Sequence, residues 1–421
     1  MFFDIREVEI ESLTITLENG VVEKPKKTFF SSKCFRVLKD GFWGVFEGSL
    51  SDSEGIEEAK RNIVCRGETE IEKVVSKGRY EFRAKIPPQD LDVEEKIKFL
   101  RDLSKWLTAR NSRISYVESL RKFSYRDSEG SDVSYFVPRV GVSVFAVEKG
   151  KTLQFLSKRL MKPGGMEKLE NAFELIEEIN EVLPKLVNAK APPSGEMNVL
   201  MDPQLAGVFI HEAFGHAAEA DHVLQGSSVL SKRIGEKIAG ENVTIIDDPR
   251  IEEFGFFAFD DEGVEAKRKI LVEKGVLKSY LHSRETAKKL GGVPGNARAE
   301  GVAFPIVRMS NTFLEPGDYE FDELLELCKN GVYLIGSRGG ETNPATGYFH
   351  FSAQYGYIVR NGEIVEMIRD VGIMGTLELL KDLKLGKEVR FDPGFCGKAS
   401  QTVPVSDGAP EVLCRTKVGG E

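Results

Sequence analysis

Two histidines and a glutamate carry the chemistry in Val208-Phe209-Ile210-His211-Glu212-Ala213-Phe214-Gly215-His216. Neutral imidazoles bind a metal, and a carboxylate beside the first can take a proton from metal-bound water, which is how a zinc peptidase works. The common motif for that task sets its histidines at i and i+4, on one face of a helix. Here they stand at i and i+5, which is roughly 140° apart on an ideal α-helix. They reach one ion only where the helix widens locally into a π-turn, which makes i+5 behave as i+4. Gly215, with its freer backbone, stands where such a distortion is needed. On spacing alone two readings stay open: a metal site, or a partly exposed helix whose histidines merely hydrogen-bond. Glu212 is read as the general base, with a carboxylate that only orients a histidine as its alternative.

A catalytic zinc ion normally takes a third protein ligand. Of the five cysteines (Cys34, Cys65, Cys328, Cys396 and Cys414), Cys396 has the most suitable setting, Asp392-Pro393-Gly394-Phe395-Cys396-Gly397-Lys398. Glycines beside it allow close backbone approach, and Lys398 is expected to favour the thiolate. From position alone, Cys396 reads equally as a buried apolar cysteine. Glu219, Asp221 and His222 follow the histidine segment; one of them binding a histidine's second ring nitrogen and plain solvated charges are both open.

His-Glu-Ala-Phe-Gly-His, followed by Glu219-Ala220-Asp221, resembles the TldD branch of the TldD/PmbA peptidase family. Asp260-Asp261-Glu262-Gly263, Cys396-Gly397-Lys398 and Gln401 extend the resemblance, which runs from about residue 198 to the C-terminus and more loosely through the first half. It implies a zinc ion on His211, His216 and Cys396. It also implies short or unfolded peptides as substrates and a dimeric chamber, either a homodimer or a heterodimer with a PmbA-type subunit. Gly336-Ser337-Arg338-Gly339-Gly340-Glu341-Thr342 lacks the Gly-Lys-Ser/Thr of a phosphate loop. The resemblance suggests instead that Arg338, Gly339 and Gly340 form an edge along which an extended peptide lies, with a flexible surface loop as the alternative. Ser400 departs from the family's usual glycine before Gln401, which leaves the turn there in question. A zinc deaminase is disfavoured because the Pro-Cys-x-x-Cys pair is missing. A non-catalytic, metal-stabilised peptide-binding module is the remaining alternative.

Composition sets the frame. A chain of 421 residues with 41% hydrophobic and 30% charged residues has ample core for two domains. A net charge of −9 argues against nucleic acid or an anionic membrane as partner. No apolar run approaches a membrane span and the N-terminus lacks a signal-like segment, so a cytoplasmic location is expected. Five cysteines without a CxxC pair fit a reducing compartment.

The elements that must position these residues follow from periodicity. Residues 8–49 alternate with period two and read as strands, with turns at Glu18-Asn19-Gly20 and Lys39-Asp40-Gly41. Residues 53–75 read as helix, broken near Gly67. Asp92 and Glu95 form a capping pattern before a stripe of Val93, Ile97, Leu100, Leu103 and Leu107. A three-stranded meander spans residues 113–155, and a helix runs from Met166 to Leu183, ended by Pro184. No chemistry is evident in this half. Ala191-Pro192-Pro193-Ser194-Gly195 is the linker, giving an α/β layered domain at 1–192 and a mainly β domain at 193–421 that carries one metal-binding helix. In the latter, residues 197–201, 243–249, 254–259 and 269–280 read as strands. Residues 285–290 and 321–329 read as short helices, and 348–364 as a hairpin.

Overall fold

Alternating apolar residues build the first half of the chain. Leu13, Ile15 and Leu17 point to one face of the strand Phe2–Glu18 and are buried. In the computed structural model, which describes residues 1–420, this strand lies inside an eight-stranded sheet. Its central path runs Phe42–Gly48, Lys26–Lys39, Phe2–Glu18, Asn111–Asp127, Asp132–Lys149, and all of these pairs are antiparallel. Lys77–Glu81 and Leu153–Pro163 share the far edge of Asp132–Lys149. The helices Val93–Ser104 and Ala172–Leu186 cover one face through Ile97, Leu100, Leu103, Ile176, Ile179 and Leu183. The expected capping box is present: the Asp92 carboxylate accepts from Glu95 N–H (2.8 Å), and the Glu95 carboxylate accepts from Asp92 N–H (3.0 Å).

The second half is mainly β. A six-stranded sheet has the order Val276–Leu277, Lys269–Glu273, Ile245–Asp247, Asn311–Leu314, Gln401–Ala409, Arg390–Lys398. A nine-stranded sheet includes Gly195–Met201 and Val412–Gly420 near its middle and ends at Gly339–Asn343. The helix Pro203–Phe209 packs in one core with both sheets: Phe209 and Phe214 cluster with Phe349 and Phe351 of one sheet and with Val403 and Val405 of the other. Pro203 occupies its first turn, and the Asp202 side chain caps it by accepting from Leu205 N–H at 2.9 Å. Gly207 brings this helix against Asp407, whose carbonyl O would stand 3.0 Å from an added Cβ.

Four local expectations are corrected. Only Asp52–Arg61 is helical in the stretch 53–75. Beyond it, Gly67 and Thr69 N–H donate to the carbonyls of Asp40 and Gly41, so the backbone is satisfied by a hairpin turn instead of by a helix. The helix expected from Met166 is split into a 3₁₀ turn, Met166–Leu169, and an α-helix, Ala172–Leu186, which runs through Pro184. A proline so near the end frees a single carbonyl, and the buried Leu183 and Leu186 hold the last turn in place. Residues 254–259 form no strand; Phe254, Phe256, Phe257 and Phe259 are all buried, without alternation. Tyr348–Ser352 pairs with Gly339–Asn343 and Val371–Thr376, while the hairpin is Tyr355–Arg360 with Glu363–Ile368.

The two halves are clasped by buried ions. Arg36 pairs with Asp4 (2.6 Å) and Glu262 (3.4 Å), and Arg121 with Asp261 (2.7 Å). Asp260 accepts from the N–H groups of Glu262, Val264 and Ala297. Desolvation and the neighbouring Glu262 nevertheless push its carboxyl up to about 8. The segment Asp260-Asp261-Glu262 is thus a fastening between the halves.

Candidate metal centre

The widened turn that the histidine spacing requires is present. Ile210–Gly215 is a π-helical turn, and His216 N–H donates to the His211 carbonyl, five residues back. Gly215 itself has ordinary right-handed angles, φ −59° and ψ −49°. Its backbone freedom is therefore not what the turn uses. A Cβ there would lie 2.0 Å from Met309 Sδ, so glycine is required by close packing on a fully buried methionine.

The turn places His211 and His216 on one side, with ring centroids 5.2 Å apart. Cys396 comes to them from the hairpin Arg390–Lys398/Gln401–Ala409, and the donor atoms of the three residues lie within 4.8 Å of one another. His211 Nδ1 is 2.6 Å from Asp407 Oδ1. His216 Nδ1 is 2.9 Å from Glu219 Oε2, and its Nε2 is 3.5 Å from Cys396 Sγ. Each imidazole thus turns one nitrogen to a carboxylate and leaves the other for the shared centre, the arrangement that orients histidines on a metal. Two imidazoles and a thiolate suit zinc.

The electrostatics agree with a site built for a cation. Burial pushes the Cys396 thiol up, but His211 and His216 outweigh it and hold it down to about 5. Burial pushes His216 down, yet Glu219 and Cys396 raise it to about 10. Burial raises Glu219, and His216 and Lys398 bring it down to about 2.

Lys398 does not act on the thiolate as expected. Its ammonium lies 3.0 Å from Glu219 and 2.7 Å from Asp221, and it donates to the Val307 carbonyl at 3.1 Å. It neutralises the carboxylates behind His216. That also accounts for the cluster of Glu219, Asp221 and His222, where the lysine already supplies the cation. His282 and His350 lie outside the centre.

Glu212 lines a cleft of about 370 Å³ together with His211, Arg338 and Gly339. Its side chain is 35% exposed, and its Oε2 is 3.8 Å from His216 Nε2. Gly339 opens the edge strand Gly339–Asn343, has φ +99°, and has open space where a Cβ would be. Arg338 stacks on Phe155 at 4.4 Å and pairs with Asp370 at 3.2 Å. Gly340 is not part of the cleft wall; a Cβ there would meet the His350 carbonyl O at 2.2 Å on the neighbouring strand. The first half, where the sequence shows no chemistry, contributes Phe155, Ser157 and Arg159 to the same wall. Asp407 was not legible either: Val403-Pro404-Val405-Ser406-Asp407 has no signal that ties it to a histidine far away in the chain.

Comparison with known proteins points to a metallopeptidase family. Residues 194–420 match the PmbA/TldA metallopeptidase C-terminal domain, residues 3–64 its domain 1 and residues 86–183 its central domain. The chain is 62% identical, over 100% of its length and 99% of the relative's, to a protein of Archaeoglobus fulgidus described as a metalloprotease. It is 30% identical, over 100% and 96%, to one of Saccharolobus solfataricus described as a zinc metalloprotease TldD homolog. A crystal structure from Thermotoga maritima, described as a putative modulator of a DNA gyrase, superposes with a TM-score of 0.85 at 26% identity, covering 99% of this chain and 96% of that one. TldE from Thermococcus kodakarensis shares the fold, with a TM-score of 0.77 at 19% identity and coverage of 100% and 97%. With matches along almost its whole length, the chain belongs to the PmbA/TldD metallopeptidase family, on its TldD branch.

Proposed function

We propose that the chain is a zinc-dependent peptidase in which His211, His216 and Cys396 hold the metal and Glu212 is the general base. The observation that carries this reading is the pairing of His211 with Asp407 and of His216 with Glu219, which leaves one nitrogen of each ring facing Cys396 beside an open cleft. Zinc, when bound, supplies a Lewis acid that polarises a peptide carbonyl and lowers the pKa of water towards neutrality. Glu212 accepts the proton of the attacking water at a carboxylate oxygen and returns it to the leaving amine. Asp407 and Glu219 hold the ring protons on Nδ1, fixing both tautomers. A structural zinc uses four protein donors, whereas here Asp407 and Glu219 are committed to the far side of the histidines and Glu212 serves as the base.

The substrate is a short or unfolded peptide. Gly339–Asn343 pairs on one side only, so its free edge offers main-chain groups to an extended chain without demanding particular side chains. Gly339, at the open start of that strand, and Arg338 border the peptide's path, and Gly340 secures the strand behind it. Assembly as a homodimer, or with a PmbA-type subunit, and a cytoplasmic location complete the proposal. The test is hydrolysis of quenched peptides alongside metal analysis: Glu212→Gln retains about one zinc per chain and loses turnover by at least about 10²-fold. Near wild-type turnover would remove Glu212 from the base role, and a wild-type chain without zinc affinity would end the proposal.

A further inference from the structure

Behind Cys396 lies an arginine, Arg308, that makes no ion pair among the described residues. Arg308 is fully buried, and among the described residues its guanidinium donates to backbone carbonyls: to Gln401 O at 3.2 Å and to Cys396 O. Its Nε has no partner among the described residues, and a second buried arginine, Arg298, is close enough to repel it. Burying a guanidinium this way is costly, so the position must return something. Cys396 and Gln401 stand on opposite strands of the hairpin, on either side of its tip, and one rigid planar group holds both. The backbone of Arg308 is itself fixed: its N–H donates to Asn296 O (2.9 Å), and its carbonyl accepts from Asn296 Nδ2 (3.1 Å). Its neighbours touch the rest of the centre. Val307 O accepts from Lys398, and Met309 packs on Gly215 of the π-turn.

We propose that Arg308 is a positioning residue of the metal centre, and that by clamping the carbonyls of Cys396 and Gln401 it sets the thiolate against the two histidines. The three-residue strap Val307–Met309 then registers the cysteine hairpin to the π-turn, two parts of the chain that share no local sequence. This rests on Cys396 being a metal ligand, as proposed above.

The test uses the full chain loaded with cobalt(II) in place of zinc, in wild type, Arg308→Met and Arg308→Lys. Wild type shows a thiolate-to-cobalt charge-transfer band; its absence would refute the ligand assignment and not Arg308 specifically. Arg308→Met is expected to weaken and shift that band and to lower metal affinity about 10–100-fold. Arg308→Lys, which reaches one carbonyl but not both, should fall between, and it carries the test alone should the methionine variant not fold. A purely structural arginine gives a different result: the metal-free protein melts earlier while band and affinity stay within two-fold of wild type, and that outcome overturns the proposal.

Discussion

Replacing Asp407 by asparagine removes a charge and little else. The carboxylate faces a fully buried ring nitrogen at 2.6 Å, and asparagine can still present an oxygen there. The tautomer of His211 is therefore kept, and only the electrostatic support of the metal-facing nitrogen is lost. Unit charges about 4 Å apart interact by about 4 kcal/mol at an effective dielectric of about 20, which bounds the effect from above. Carboxylates behind metal-bound histidines contribute about 10–100-fold in affinity, or about 1.4–2.7 kcal/mol, which sits inside that bound. Asp407→Ala goes further, because it leaves the buried Nδ1–H without an acceptor at a cost of about 1–3 kcal/mol. The assay is competition for zinc with a chromophoric chelator, run at two pH values to separate proton competition at the imidazole from loss of the carboxylate. The expected order is wild type, then asparagine, then alanine. Asparagine binding within two-fold of wild type at both pH values would refute the role given to Asp407.

Gly215→Ala should destabilise the protein by about 1–3 kcal/mol, since its methyl overlaps Met309 Sδ, and most of that cost should vanish in a Met309→Ala background. Equal costs in both backgrounds, measured by urea unfolding, would break the packing explanation. Ser400→Gly should raise stability by up to about 1 kcal/mol, because Ser400 sits at φ +60° beside Ala399 at φ +49° in a two-residue hairpin turn that favours glycine. An unchanged or lower melting temperature would contradict it. Burial, and then the Lys269 cation, depress the buried His282 from 6.5 to about 4. Its unfolded form therefore takes up a proton first as the pH falls, and the stability present above pH 6.5 is lost towards pH 4, by about 3 kcal/mol in all. His282→Gln should flatten that part of the stability–pH curve, and a curve as steep as wild type would assign the loss to other groups.

What could be read from the sequence was whatever local geometry constrains. Histidines at i and i+5 admit one shared centre only through a π-turn, so the spacing itself implies the turn. Cys396 was another matter: its flanking glycines only suggest a ligand, and the family resemblance was needed as well to set it apart from a core cysteine. Lys398 was misassigned for a related reason. Residues i and i+2 share a strand face, which makes a lysine there look like a neighbour of the thiolate, yet its long side chain reaches past to Glu219 and Asp221. Asp407 and Arg308 were invisible, because hairpin register and tertiary packing decide what they meet.

The first half of the chain shows the same limit from the other side. It holds none of the five histidines, and its stripes read as core. Yet the strand Leu153–Pro163 sends Phe155, Ser157 and Arg159 into the cleft, and Gln154 accepts a hydrogen bond from Arg338 at 3.0 Å. Buried ion pairs hold that sheet in place: Arg36 joins Asp4 to Glu262, and Arg121 joins Asp261. The acidic segment 260–262 thus touches no reacting group and still bears on the reaction, by fixing where one wall of the cleft stands relative to the metal centre. Breaking one such pair leaves a charge buried without its partner, at a cost of about 3–5 kcal/mol. Substitutions at Asp261 or Glu262 should therefore lower activity together with stability, whereas Glu212→Gln lowers activity alone.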